Sequence, residues 1–201
     1  MLFFDEFIKS ALALLIIMDP FASLPVFLTL TKGQTDAQKF NSALTATAIA
    51  TIVLAAFVLG GPTLMEAMAI SMPAFTIAGG LLLLLTAILS FLGVEVGSNN
   101  SSNVDIKIVV VAVPLISGPG AMTTSIILAN QYGLITVFSA IAIVSIAIFA
   151  VLLLSRKISK LAGENGIEIA SKIFSILLAA IAVEFIKNGA FQIFGEWGLI
   201  P

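Results

Sequence analysis

Two apolar stretches of this chain are interrupted by proline at matching places: Met18-Asp19-Pro20-Phe21-Ala22-Ser23-Leu24-Pro25 and Ser117-Gly118-Pro119-Gly120-Ala121-Met122-Thr123-Thr124, ninety-nine residues apart. Proline removes a backbone donor and its ring clashes with the preceding turn, so a helix carrying such an insert is discontinuous there. The same offset pairs Ala13 with Ala112, Ile17 with Ile116, Ile70 with Ile169 and Phe75 with Phe174, with no gap needed. The chain therefore reads as two related halves, each opening on a broken element. Unwound backbone at membrane depth survives only where protein or a water-filled cavity surrounds it, and matched interruptions in two halves point to a transport site.

Membrane depth follows from composition. The 201 residues are 60% hydrophobic and 10% charged, with a mean hydropathy of +1.18, more apolar than a soluble domain of this length can hide. A span takes about 20 residues of helix, and the apolar runs predict six: 7–31, 43–61, 73–93, 106–129, 134–154 and 169–194. A β-barrel requires alternating polarity, which runs such as Leu81-Leu82-Leu83-Leu84-Leu85 lack. The expected class is thus an all-α membrane protein. The opening Met1-Leu2-Phe3-Phe4-Asp5-Glu6 has no basic region, which argues against a cleaved signal. Without cysteine or histidine there are no disulfides, no thiolate metal sites and no histidine base, so neither a cofactor nor an enzyme activity is expected. An aspartyl protease would need two intramembrane acids of one kind, and only Asp19 qualifies. Nucleic acid is not expected at a net charge of -2 with no basic stripe.

The polar Gly97-Ser98-Asn99-Asn100-Ser101-Ser102-Asn103 linker divides a single transmembrane domain into repeats 1–96 and 104–201. Three helices per repeat make the second half enter from the opposite side, so the repeats are expected to be inverted, with helices one and four discontinuous. Lys32, Lys39, Lys107, Arg156, Lys157, Lys160 and Lys172 flank one side, Lys9 and Lys187 the other. That bias puts the linker in the cytoplasm and both termini outside a cell (inner) membrane. Asp19 falls roughly 16 Å into its span at 1.5 Å per residue, close to the bilayer middle. Small residues four apart on span two, Ala46 with Ala50 and Thr47 with Thr51, suit close helix packing, and Gly79-Gly80 on span three marks another close approach.

Asp19-Pro20 has the form of a helix start inside a membrane helix. Asp is a good N-cap and proline suits the first helical position. A cap alone accounts for Asp19, but serine would cap without the roughly 2.5–3.5 kcal/mol that a carboxylate costs at the bilayer centre, so Asp19 is also a candidate for substrate binding and coupling. Pro20, Ala22 and Ser23 line the same break. In the second copy Ser117, Gly118, Pro119, Gly120 and Ala121 leave a helix N-terminus with no capping side chain, open to an anion such as a substrate carboxylate. Pro114 loosens the preceding half-helix. Thr123 and Thr124, with Ser125, offer hydroxyls in the next turn; back-bonding to their own helix is the competing account. Glu184 is a candidate coupling acid, although Lys187 three residues on suits mutual neutralisation.

The Asp19-Pro20 segment, the Ser117-Gly118-Pro119-Gly120-Ala121 segment and the six-span layout with a polar middle linker resemble the MarC family of inner-membrane proteins, over essentially the whole chain. That family includes a small neutral amino acid transporter from an archaeon. The resemblance implies a six-helix inverted-repeat secondary transporter of glycine, alanine or similar amino acids, coupled to protons, in the lipid bilayer. The competing expectation is a passive channel or an exporter of another small metabolite.

Overall fold

The computed structural model describes residues 2–93 and 116–196, and every regular element among them is a helix. In order these are α1 (Leu2–Ile17), α2 (Pro20–Leu30), α3 (Asp36–Ala67), α4 (Met72–Phe91), α5 (Pro119–Tyr132), α6 (Leu134–Leu153) and α7 (Ser155–Glu196). Among the described residues, four stretches are long and apolar enough to cross a membrane: α3, α4, α6 and Asn165–Gly195 of α7. The α1–α2 pair, bent by 44°, makes a fifth if it is one span. The described part of the expected fourth span holds α5, 14 residues long and too short to cross by itself. The first part of that span, 106–115 with Lys107 and Pro114, lies outside the described residues, as does the linker 97–103.

Local chemistry sets the helix ends. Thr35 and Gln38 form a capping box at the start of α3: the Thr35 N–H donates to Gln38 Oε1 at 2.9 Å and the Gln38 N–H donates to Thr35 Oγ1 at 3.3 Å. This carries α3 back to Asp36, ahead of the start at residue 43 that hydropathy predicts, because the first turns are polar and stand clear of the apolar run. Ser71 caps α4, accepting from the Ala74 N–H, and Pro73 sits in its first turn. Gly133, at φ 86, is the one-residue link between α5 and α6. Gly163, at φ 68 and ψ 173, breaks α7 into 155–162 and the membrane-length stretch beyond.

Packing uses small residues, as helix association in lipid requires. Ala43, Ala46 and Ala50 on α3 are wholly buried, and α3 reaches α6 through a 2.7 Å contact between Thr51 Oγ1 and Ser145 Oγ. The most extensive helix pairing is α4 on α7. A Cβ on Gly80 would stand 2.8 Å from the Ala182 carbonyl oxygen, and one on Gly189 would stand 2.8 Å from that of Pro73. The two helices close up there. Toward the other end they part around an apolar groove of about 270 Å³, lined by Ala87 and Phe91 of α4 and its C-cap Leu92 with Ser175 and Ala179 of α7. Large apolar side chains such as Ile52, Leu59 and Ile135 stand on the outside, as a lipid-facing surface needs.

These approaches give a stability test. Gly189→Ala puts a methyl against backbone that cannot rotate away, and overpacking of this kind costs about 1–3 kcal/mol. Gly60→Ala meets nothing within 4 Å and should instead stabilise α3 by roughly 0.5–1 kcal/mol. Thermal unfolding in detergent should show shifts of opposite sign. Shifts of the same sign would contradict the close α4–α7 crossing.

Candidate functional site

The first break is built by Asp19 itself. The Met18 N–H still bonds back to Leu14, while the Asp19 N–H donates to the Ile16 carbonyl at 3.3 Å, tightening the last turn. Asp19 then adopts left-handed backbone, φ 34 and ψ 78, a conformation rare for a residue with a side chain. This geometry turns its carboxylate onto the new helix. Oδ1 accepts from the Ala22 N–H at 3.1 Å, and the Ser23 hydroxyl donates to the Asp19 carbonyl at 3.2 Å. Pro20 follows at the first helical position, so α2 begins with no orphan donor there. Asp19, Pro20 and Ser23 are buried and Ala22 is half-buried. Asp19 is 7% exposed, and its Oδ2 has no hydrogen-bond partner. An unpaired carboxylate oxygen in such a place is expensive.

The second break has the other chemistry. Gly118 is the N-cap of α5 with no side-chain cap bond, and Pro119 opens the helix. The Met122 N–H returns to the Gly118 carbonyl at 3.0 Å, and among the described residues no side chain caps the Gly120 and Ala121 amides ahead of it. Ser117, Gly120 and Ala121 are buried, Gly118 is half-buried and Pro119 is exposed. The three hydroxyls of the next turns differ. Thr123 donates to the Pro119 carbonyl at 2.8 Å and Ser125 to that of Ala121 at 2.6 Å, the back-bonding that competes with a ligand role. Thr124, wholly buried, has no partner for its hydroxyl.

The fold brings the two breaks together. Ile17, two residues ahead of Asp19, lies 3.8 Å from where a Cβ on Gly120 would stand, and α1 packs on α5. The same Gly120 face is closed by the Leu83 side chain of α4, and Gly79 of α4 receives the Thr123 side chain. The missing Cβ of Gly120 thus makes room for α1 and α4. Sequence reading flagged Gly79 as a close approach but not that its neighbour is Thr123. Ser10, wholly buried on α1 with an unpartnered hydroxyl, was also missed; it follows Lys9 at the edge of the apolar run, where a serine carries no signal. Glu184 is not part of this cluster. Its side chain is exposed on α7 and takes Lys187 Nζ at 2.6 Å. Among the described residues no group of three or more carboxylates could hold a metal ion.

These features define an integral membrane protein with a helix pair bent at Asp19 and a second helix start beside it that has no side-chain cap. The profile of the MarC family integral membrane proteins matches residues 4–194, and the chain belongs to that family. It is 34% identical to a UPF0056 membrane protein of Aquifex aeolicus, over 91% of each chain. It is 32% identical to one of Archaeoglobus fulgidus, again over 91% of each. The UPF0056 membrane protein YhcE of Escherichia coli is 28% identical over 95% of this chain and 94% of its own. No solved structure gives a significant match.

The unequal hydroxyls yield a prediction. Removing a buried donor that has no partner relieves a desolvation cost of about 1–3 kcal/mol. Thr124→Val, which keeps the shape, should therefore leave the melting temperature unchanged or raise it. A fall would mean that this hydroxyl is bonded within the protein.

Proposed function

We propose that the chain is a secondary active transporter of small neutral amino acids of the glycine and alanine class, driven by a proton gradient. The observation that carries the reading is the meeting of two buried helix starts, one holding a carboxylate with an unpaired oxygen and the other bare. A zwitterion complements both. Its carboxylate suits the Gly120 and Ala121 amides at the positive end of α5. Its ammonium suits Asp19 Oδ2 or carbonyls of the unwound segments. Thr124 is the hydroxyl left over for either group, since Thr123 and Ser125 are engaged. Ile17 and Leu83 crowd the junction, which favours a side chain no larger than a methyl.

The arrangement proposed is a single transmembrane domain of two inverted three-helix repeats, 1–96 and 104–201, with spans one and four discontinuous. Reciprocal packing supports it. The second half-helix of span one, α2, lies on α6 and α7 of the other repeat, while α5 lies on α3 and α4. In the same reading both termini face outward from the cell (inner) membrane. An ion pair between Asp36 and Arg156, 3.5 Å apart, brings the α3 and α7 starts to one end of the molecule, as a common cytoplasmic side requires. Asp19 is the coupling residue of choice, because Glu184 is already neutralised by Lys187 on an exposed face. Nothing in this scheme calls for a cofactor or for enzymatic chemistry.

Liposomes containing the purified protein should accumulate labelled glycine when a pH gradient is imposed. Asp19→Asn should retain exchange but lose accumulation, and Gly118→Asp should abolish glycine binding by placing a carboxylate where the substrate's belongs. Normal pH-driven uptake by Asp19→Asn would remove Asp19 as proton carrier. Unchanged affinity in folded Gly118→Asp would move the carboxylate site elsewhere. Gradient-independent, non-saturable flux would favour a channel. For the topology, a cysteine at Lys32 in the α2–α3 loop should resist impermeant reagents in intact cells, and ready labelling would invert the orientation.

A further inference from the structure

Cations collect where α3 begins and α6 passes into α7. The break at Gly163 sets residues 155–162 apart as a short helix between two membrane-length stretches. It carries Arg156, Lys157 and Lys160, all exposed, and Leu161, which is 89% exposed. Arg156 and Lys160 are one turn apart on a common face. Across from them Arg156 meets Asp36 of α3 at 3.5 Å, and Lys39 of α3 is near enough for its charge to act on both. One carboxylate therefore serves two cations. Its side chain is 95% exposed, where an ion pair contributes little. Glu164 follows four residues after Lys160, and Glu168 is taken by Lys172 at 2.7 Å. Four cations against Asp36 and Glu164 leave this patch net positive.

A short helix with basic residues and a bare leucine beside the ends of membrane spans has the make-up of an interfacial element. The surplus charge asks for an anion that stays in the plane of the bilayer. We propose that this patch binds the headgroup of an anionic phospholipid, its phosphate held by Arg156, Lys160 and Lys39 and its acyl region meeting Leu161. Arginine supplies a fork that matches phosphate oxygens, and the lysines add point charges that salt will screen. The site is separate from the helix breaks and does not depend on the transport reading.

The test is thermal unfolding of purified protein in neutral detergent with added dioleoyl phosphatidylglycerol, dioleoyl phosphatidylcholine or inorganic phosphate. Phosphatidylglycerol alone should raise the melting temperature by several degrees, less so in high salt. The gain should vanish in the Arg156→Gln/Lys157→Gln/Lys160→Gln variant. An equal gain in that variant or with phosphatidylcholine would overturn the proposal, as would phosphate reproducing the effect by itself. If the triple variant does not fold, Lys157→Gln/Lys160→Gln alters only exposed side chains. Native mass spectrometry should then show fewer retained phosphatidylglycerol molecules than in the wild type, and equal retention would overturn the site.

Discussion

A helix that restarts in buried, apolar surroundings must find partners for its first amides, and this requirement governs the molecule. Water can solvate such groups at the surface of a soluble protein, whereas in lipid each bare one costs several kcal/mol. At the first break the chain meets the demand internally. Asp19 takes a strained left-handed conformation so that its carboxylate reaches the Ala22 amide, and Pro20 removes one donor altogether. At the second break Gly118 supplies no side chain, and the demand is left for something else.

Holding such groups at depth takes a rigid surround, and α4 provides much of it. Its consecutive glycines face different neighbours, Gly79 receiving Thr123 of α5 and Gly80 lying against the backbone of α7. One turn on, Leu83 fills the space left open by Gly120. The helix that touches the bare start of α5 is thereby the one most extensively packed on α7. A shift of α4 would be felt at once by Thr123 and by the long α7. In the proposed transport reading, that linkage makes α4 the element through which the site and the outer helices move together.

Much of this was legible in the chain itself, because proline and aspartate have few uses inside an apolar run. Asp19-Pro20 announced both the break and its cap, and Ala46, Ala50 and Gly80 announced close packing through their size. Other features depend on what the tertiary fold brings near. The early start of α3 rests on the Thr35–Gln38 box, which lies in polar sequence where hydropathy has nothing to register. The break at Gly163 falls between the two apolar runs 134–154 and 169–194, in polar Gly163-Glu164-Asn165-Gly166, but nothing in the composition says that helix continues on both sides of it. Thr123, Thr124 and Ser125 are alike as residue types, yet only the Thr124 hydroxyl is left without a partner, which the residue types do not foretell.

The difference between the two breaks is the final step. A perfect repeat would place the same residue at Asp19 and Gly118, and the two starts would then repel or attract the same group. Two aspartates would each cap their own helix and leave two carboxylates facing one another; two glycines would leave two positive helix ends with no counter-charge. One aspartate and one glycine put a carboxylate on one helix start and leave the other without a capping side chain. In the proposed transport reading, a molecule carrying an ammonium and a carboxylate on one carbon can answer both at once, and a simple anion or cation can answer only one. On that reading, discrimination for a zwitterion needs no further charged side chain at the site, and Ile17 and Leu83 give it apolar walls.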